Sequence, residues 1–392
     1  MSSDSLRILR VTSSTYPEVV GGVGLHVHHL SRVQAEMGHD VTVLTSDNGD
    51  RSLPSEERRD GYRLLRHREL ARPLDNSIVP GVAATLHEFV DDYDVLHIHS
   101  HLYFSSTLAA LFGRRTDIPV VVTNHGLVSQ TAPRWIQRLY NPTVGKFTFE
   151  TGDRILCYTE TDKQRLQERG IDTPISVVPN GIDCSWFRPS AADPSDQLLF
   201  VGRLKEGKGP QYLLEAFGRL ASDYPDYSLQ LVGDGPLREE LEAQASTLGI
   251  ADRVSFRGEV PNDELPALYA DSRAFVLPSR SEGLPRTVLE AMACGRPVVT
   301  SDLPQLRPLV EDVGYTFETG SVDRLVDTLT TVLDADDDRL DRFGTRARKR
   351  VESTYSWEDT VERTVAEYYD VLGERTTGSG IKRSLPRQST AE

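Results

Sequence analysis

The stretch EGLPRTVLE sets two glutamates eight residues apart, Glu282 and Glu290, with Gly283, Leu284 and Pro285 directly after the first. Pro285 suits a first helical turn, Val288, Leu289 and Met292 supply an apolar stripe, and Gly295 closes the helix. Glu282 then precedes that helix, and Glu290 lies inside it. At a rise of ~1.5 Å per residue the helical part alone separates them by several ångströms. Two carboxylates that share one scissile bond as acid and nucleophile stand only about 5–5.5 Å apart. Glu282 and Glu290 therefore read as clamps on two parts of one long ligand. Unpaired N–H groups near Gly283 and Leu284 would face an anion.

A second candidate is FVGRLKEGKG, which places Arg203 and Lys208 beyond a strand end among Gly202, Gly207 and Gly209. Lys205 and Lys208 are the only lysines between Lys163 and Lys349. Two cations in such a loop suit a diphosphate, and would stabilise one as a leaving group without a metal ion. VVGGVGLHVHHL carries Gly21, Gly22 and Gly24 at a helix mouth, where the backbone can approach a phosphate. Val27 stands where a dinucleotide fingerprint needs its third glycine, so that reading is weak. In HIHSH, alternation puts His97, His99 and His101 on one strand face. Metal ligation would need further ligands from later strands, and no metal is expected. His125, the last histidine, sits where VVVTNHG leaves a strand, placed to meet a reacting group.

Short strands must position these groups. RILRVTSS, DVTVLTSD, YRLLRHR, DVLHIHSH, IPVVVTNHG, RILCYTE and ISVVPNGID alternate with helical patterns. From about Gln197 the theme repeats with QLLFVGRL, YSLQLVGDG, RVSFRGEV, AFVLPSR and RPVVTSDL. Such alternation predicts an α/β chain of two doubly wound, Rossmann-like domains facing each other across a cleft at the strands' carboxyl ends. Boundaries follow at 1–185, 186–356, a closing helix over 357–372, and a disordered tail over 373–392, with DCSWFRPSAADPSD as the linker.

The chain of 392 residues is long enough for two cores. A net charge of −15 excludes a nucleic-acid binder working through a general basic surface. Cys157, Cys184 and Cys294 are too few and too far apart for a disulfide framework, and no apolar run spans a membrane. A cytoplasmic location is expected. Six lysines among 44 basic residues, with many aspartates, suggest a salt-adapted source.

Taken together and in order, YPEVVGGVGLHVHHL, DVLHIHSH, TNHG, VVPNGID, VGRLKEGKG, LVGDGPLREELE, VSFRGEV, LPSRSEGLPRTVLEAMACGRPVV and YSWEDTVERTVAEYYDVL resemble the family 4 retaining glycosyltransferases of the GT-B fold. The resemblance implies that Glu282 bonds the donor sugar's hydroxyls and Glu290 the ribose. It assigns the diphosphate to Arg203 and Lys208, with Gly22 and Gly24 closing over it, and donor-facing backbone to Gly283 and Leu284. Arg257 and Gly258 would flank the base, and His125 would lie near donor sugar and acceptor. The catalytic set is thus His125, Glu282, Arg203 and Lys208. Such enzymes are thought to let the acceptor hydroxyl attack the face the diphosphate leaves. After RPVVT the family carries a Gly-Gly loop and a glutamate, whereas this chain reads SDLPQLRPLV, with Arg307 and Pro308. Donor identity is therefore less transferable than reaction type.

The implied partners are a nucleotide-sugar donor and a glycan or lipid-linked acceptor. Between Asp117 and Glu150 no acidic residue occurs, and PRWIQRLYNPTVGKFTF mixes Arg134, Arg138 and Lys146 with Trp135, Ile136, Leu139, Tyr140, Phe147 and Phe149. Residues 133–149 suit either an anionic membrane surface or a helix packed in its own domain. Two rival readings of the whole chain stay open: a nucleotide-sugar epimerase of the same fold, and a non-catalytic nucleotide-sugar-binding protein.

Overall fold

The computed structural model describes residues 5–19, 21–127, 132–191 and 193–378. The described residues divide into two compact units, one from residues 5–178 and 361–378, the other from Pro179–Thr360.

The first unit is built on an eight-stranded sheet: β1 (Arg7–Val11), β2 (Asp40–Ser46), β3 (Glu56–Arg59), β4 (Tyr62–His67), β5 (Val95–His99), β6 (Val120–Thr123), β7 (Arg154–Cys157) and β8 (Ile175–Val177). The spatial order is β3-β4-β2-β1-β5-β6-β7-β8. Only the edge hairpin of β3 and β4 is antiparallel. That hairpin strand, EERR, is charged throughout and gave no apolar signal in the sequence.

Period-two alternation sorts residues onto two buried faces. Leu9, Val11, Leu96 and Ile98 pack in one cluster, and Ile8, Val41, Val43 and Val95 in the other. The second cluster also holds Tyr368 and Val371 of the closing helix, Trp357–Gly378. Burying a side chain of that size stabilises a unit by roughly 1.5–3 kcal/mol. The helix continues past residue 372 to Gly378, so residues 373–378 are helical where a tail was expected, and residues 379–392 lie outside the described residues. Arg154 pairs with Glu374 at 2.7 Å and Arg375 with Asp153 at 2.8 Å, which explains why the extra turns stay on this unit.

The second unit holds β9 (Gln197–Val201), β10 (Ser228–Val232), β11 (Val254–Gly258), β12 (Ala274–Leu277), β13 (Val298–Ser301) and β14 (Gly314–Phe317). Their order is β11-β10-β9-β12-β13-β14, and every neighbouring pair is parallel. Each sheet reverses its winding once, between β1 and β5 in the first and between β9 and β12 in the second. In doubly wound sheets, ligands bind outside the strand carboxyl ends at such reversals.

Candidate functional site

The reversal in the second sheet gathers the cations and Glu282. Lys208 ends the loop after β9, and Glu282 lies in the loop after β12. Lys208 Nζ stands 2.6 Å from Glu282 Oε1, and the Ser279 hydroxyl donates to the same oxygen at 2.6 Å. The Glu282 side chain is only 6% exposed, so its charge depends on these partners. Glu282 Oε2 makes no hydrogen bond among the described residues and remains open to a hydroxyl. Burial lowers the Lys205 pKa, and the charges of Lys208 and Arg203 lower it further against the pull of Glu282. Arg203 is exposed, with its guanidinium in no ion pair among the described residues. Lys208 is thus paired with one carboxylate, Lys205 feels the charges of both, and Arg203 adds a further cation near Lys205, an excess of positive charge that suits a diphosphate.

Close packing holds this loop in place. Gly209 adopts φ +74°, and an added Cβ would meet the Pro278 carbonyl at 2.2 Å. Only glycine lets the Lys208 loop close against the end of β12. The loop after Thr300 lies against the same site. Gln305 Nε2 donates to the Glu282 backbone carbonyl at 2.5 Å, while Arg307 turns aside to pair with Asp302.

Glu290 is in different surroundings. The helix begins at Arg286 with Pro285 as its cap, so Pro285 precedes the first turn instead of opening it. Gly283 and Leu284 therefore belong to the connecting loop, not to the helix end. No side chain caps this helix, and its first turn holds no acid. Glu290 is buried, with its Oε2 accepting from Tyr269 Oη at 2.8 Å and Arg286 Nε 3.6 Å from its Oε1. Burial raises its pKa despite Arg286 and Tyr269. Both oxygens thus have protein partners. Arg257 and Gly258 end β11, two strands from β9, with Arg257 exposed and Gly258 at φ +70°.

The first unit places Gly22 and Gly24 at the start of the Gly22–Glu36 helix, which has no side-chain cap and no acid in its first turn. A Cβ on Gly24 would meet Val19 O at 3.1 Å, but one on Gly22 would meet nothing within 4 Å. Packing explains the first glycine and leaves the second unexplained.

Histidines gather at this sheet's reversal. His97 and His99 end β5 with ring centroids 4.2 Å apart. His101 does not join them: Ser100 takes φ +68°, which breaks the strand alternation, and the His101 ring packs on Phe149 at 4.4 Å. His97 is held by Tyr368 Oη at 2.6 Å and Thr123 Oγ1 at 2.7 Å. His125 has both nitrogens engaged, Nδ1 with Tyr158 Oη at 2.8 Å and Nε2 with His99 Nδ1 at 3.0 Å. Burial drives the pKa values of His97, His99 and His125 well below the ordinary range, so all three are neutral. One nitrogen each of His26, His99 and His125 lies within 4.8 Å of the others. His26 comes from a helix earlier in the chain, not from the later strands where further ligands were expected. Tyr158, Tyr269, Ser279 and Gln305 were likewise not singled out, and only Ser279, three residues before Glu282, had a local signal.

Segment 133–149 forms a short helix, Arg134–Tyr140, running through Asn141–Gly145 into Lys146–Glu150. Arg134 and Arg138 are exposed, as are Trp135 at 65% and Leu139 at 66%. Phe149 packs in the core. No helix among the described residues is long and apolar enough to cross a membrane.

The Glycosyltransferase Family 4 model matches residues 20–186, and the Glycosyl transferases group 1 model matches residues 186–350. A D-inositol 3-phosphate glycosyltransferase of Segniliparus rotundus is 29% identical over 388 residues, covering 90% of this chain and 85% of the relative. In fold the chain is similar to the sucrose-phosphate synthase of Thermosynechococcus elongatus, with a TM-score of 0.79, 23% identity, and 94% and 100% of the two chains covered. It is also similar to Anabaena HepE in complex with UDP and glucose, with a TM-score of 0.76, 20% identity, and 93% and 99% covered. With two adjoining models accounting for both units, the chain belongs to the group 1 and family 4 glycosyltransferases, and its fold is GT-B.

Proposed function

We propose that this glycosyltransferase moves a sugar from a nucleotide-diphosphate sugar to a hydroxyl of a glycan acceptor, with retention of configuration. The observation that carries the reading is the split carboxylate of Glu282: Lys208 and Ser279 hold Oε1, and Oε2 stays open. Oε2 accepts from a donor-sugar hydroxyl, while Lys208, Lys205 and Arg203 neutralise the diphosphate as it departs. Cationic side chains take the place a metal would fill at the phosphates. The acceptor oxygen then attacks the face the diphosphate has left. Within this reading Gly22 and Gly24 approach phosphate, Gly283 and Leu284 present backbone to the donor, and Arg257 and Gly258 flank the base. His125 lies near the sugar and acceptor. Glu290 reaches the ribose by giving up one present partner. HepE crystallised with UDP and glucose supports a nucleotide-sugar donor, as an analogy of fold.

Slow hydrolysis measured over a panel of nucleotide sugars tests the reading and identifies the donor. Release of nucleoside diphosphate from one member, lost in Glu282→Ala, is the expected result. No turnover of any member, in the presence of glycan acceptors, would leave only a binding protein.

Exposed Trp135 and Leu139 beside Arg134 and Arg138 favour a peripheral membrane site and a lipid-linked acceptor. Flotation with anionic liposomes is the check. Equal flotation of wild type and the Arg134→Ala/Arg138→Ala pair, or none by either, removes this part of the proposal.

A further inference from the structure

The rings of His26, His99 and His125 stand at the corners of a triangle with sides of 5.6, 5.2 and 5.1 Å. A ring nitrogen of each lies within 4.8 Å of the others. Zinc holds imidazole nitrogens at about 2.0–2.1 Å in a tetrahedral site, which spaces neighbouring nitrogens roughly 3.3 Å apart. His99 Nδ1 and His125 Nε2 already stand 3.0 Å apart. An ion therefore enters by replacing the hydrogen these two share, with a ring nitrogen of His26 within 4.8 Å of both.

Two further contacts fit that exchange. His125 directs its other nitrogen to the Tyr158 hydroxyl at 2.8 Å, the kind of outer partner that ligating imidazoles keep. His99 Nε2 is buried without a hydrogen-bond partner among the described residues, so it can carry the proton that leaves Nδ1. We propose that His26, His99 and His125 form a binding site for a first-row divalent transition ion such as zinc or cobalt, with its fourth position left for water or an anion. Both rings stay neutral on binding, with protons on His99 Nε2 and His125 Nδ1, and no oxidation is involved. All-imidazole ligation favours these ions over magnesium or calcium, which take oxygen.

The electrostatics limit the affinity. Three neutral ligands leave the ion's charge uncompensated. The Arg10 guanidinium, buried and bonded to Ser31, Gln34 and Tyr368, adds positive charge beside His97. Micromolar binding is expected, weaker than that of structural zinc sites with thiolates.

The test uses the full chain, stripped with a chelator and titrated with Co²⁺ alone. One equivalent should bind with the visible absorption of tetrahedral cobalt, and Zn²⁺ should displace it. His26→Gln and His125→Gln should each weaken binding about 100-fold. Tyr158→Phe, which keeps every ligand, should weaken it roughly 10–100-fold. His67→Gln, whose ring bonds Thr85 elsewhere in the unit, should change nothing. Should either histidine variant fail to fold, the other one and Tyr158→Phe still decide the matter. Absence of saturable binding at one equivalent overturns the site, as does unchanged affinity in both His26→Gln and His125→Gln. Binding is read without any transfer reaction, so failure here is separate from failure of the transferase reading.

Discussion

At the reversal of the second sheet, Lys208 pairs with Glu282, Lys205 and Arg203 add positive charge, and charge dominates the site. At the reversal of the first sheet, His26, His97, His99 and His125 pack with Tyr158 and Tyr368, and burial keeps three of those imidazoles neutral. The two places share one topology and differ in chemistry. A doubly wound sheet supplies a crevice at each reversal, but the side chains at the strand ends decide whether it suits an anion. The charged site has excess positive charge and an open carboxylate oxygen. The neutral site has hydrogen bonds nearly closed on themselves.

The largest break in that contrast is Glu282→Ala, which removes the open acceptor and unpairs Lys208. Transfer should fall at least ~10³-fold in kcat/KM, and near-normal activity would sink the site assignment. Lys208→Met is next. On the proposed mechanism, loss of this one charge should cost about 10²–10³-fold in kcat, read from nucleoside diphosphate release.

The neutral site is broken by acid. Folded pKa values of His97, His99 and His125 lie well below 6.5, and that of His101 falls to about 3 through burial and then the charge of Arg169. As pH drops through ~6.5 the unfolded chain takes up protons that the folded chain does not. Their stabilising contribution is complete above that pH and is lost as pH falls, by up to ~1.4 kcal/mol per unit for each histidine. Thermal melts from pH 7 to pH 4 should show it. His101→Phe, which keeps the stack on Phe149, should make the decline shallower by about one proton, and an unchanged slope would contradict this assignment. Ser279→Ala should have the smallest effect. It removes one of two hydrogen bonds to Glu282 Oε1, worth about 1 kcal/mol, or roughly fivefold in kcat/KM.

Much of the second site was legible in the chain. FVGRLKEGKG shows a strand end, glycines and the charged residues beyond it within ten residues, and EGLPRTVLE brings two glutamates shortly after the strand AFVLPSR. The surroundings of Glu290 were not legible, because Tyr269 comes from another helix, and only packing brings its hydroxyl to the carboxylate. Gln305 was hidden for a similar reason. Its loop was flagged as a departure, but nothing local tells that its amide holds the Glu282 carbonyl. In the first unit, strict alternation placed His101 with His97 and His99, and the left-handed Ser100 undid it.

The sequence by itself determined the α/β class, the paired doubly wound units and the family. Those properties are written in patterns a few residues long: apolar runs of strand length, helical spacing, and glycines beside cations. Only the tertiary structure decided that Lys208 and Ser279 share one oxygen of Glu282 and leave the other open. It alone brought His26 to His99 and His125, and returned Tyr368 from the far end of the chain to His97. The reason is that parallel strands need long crossovers. Neighbours in a sheet are therefore distant in sequence, and their strand ends meet by topology, which no local pattern records.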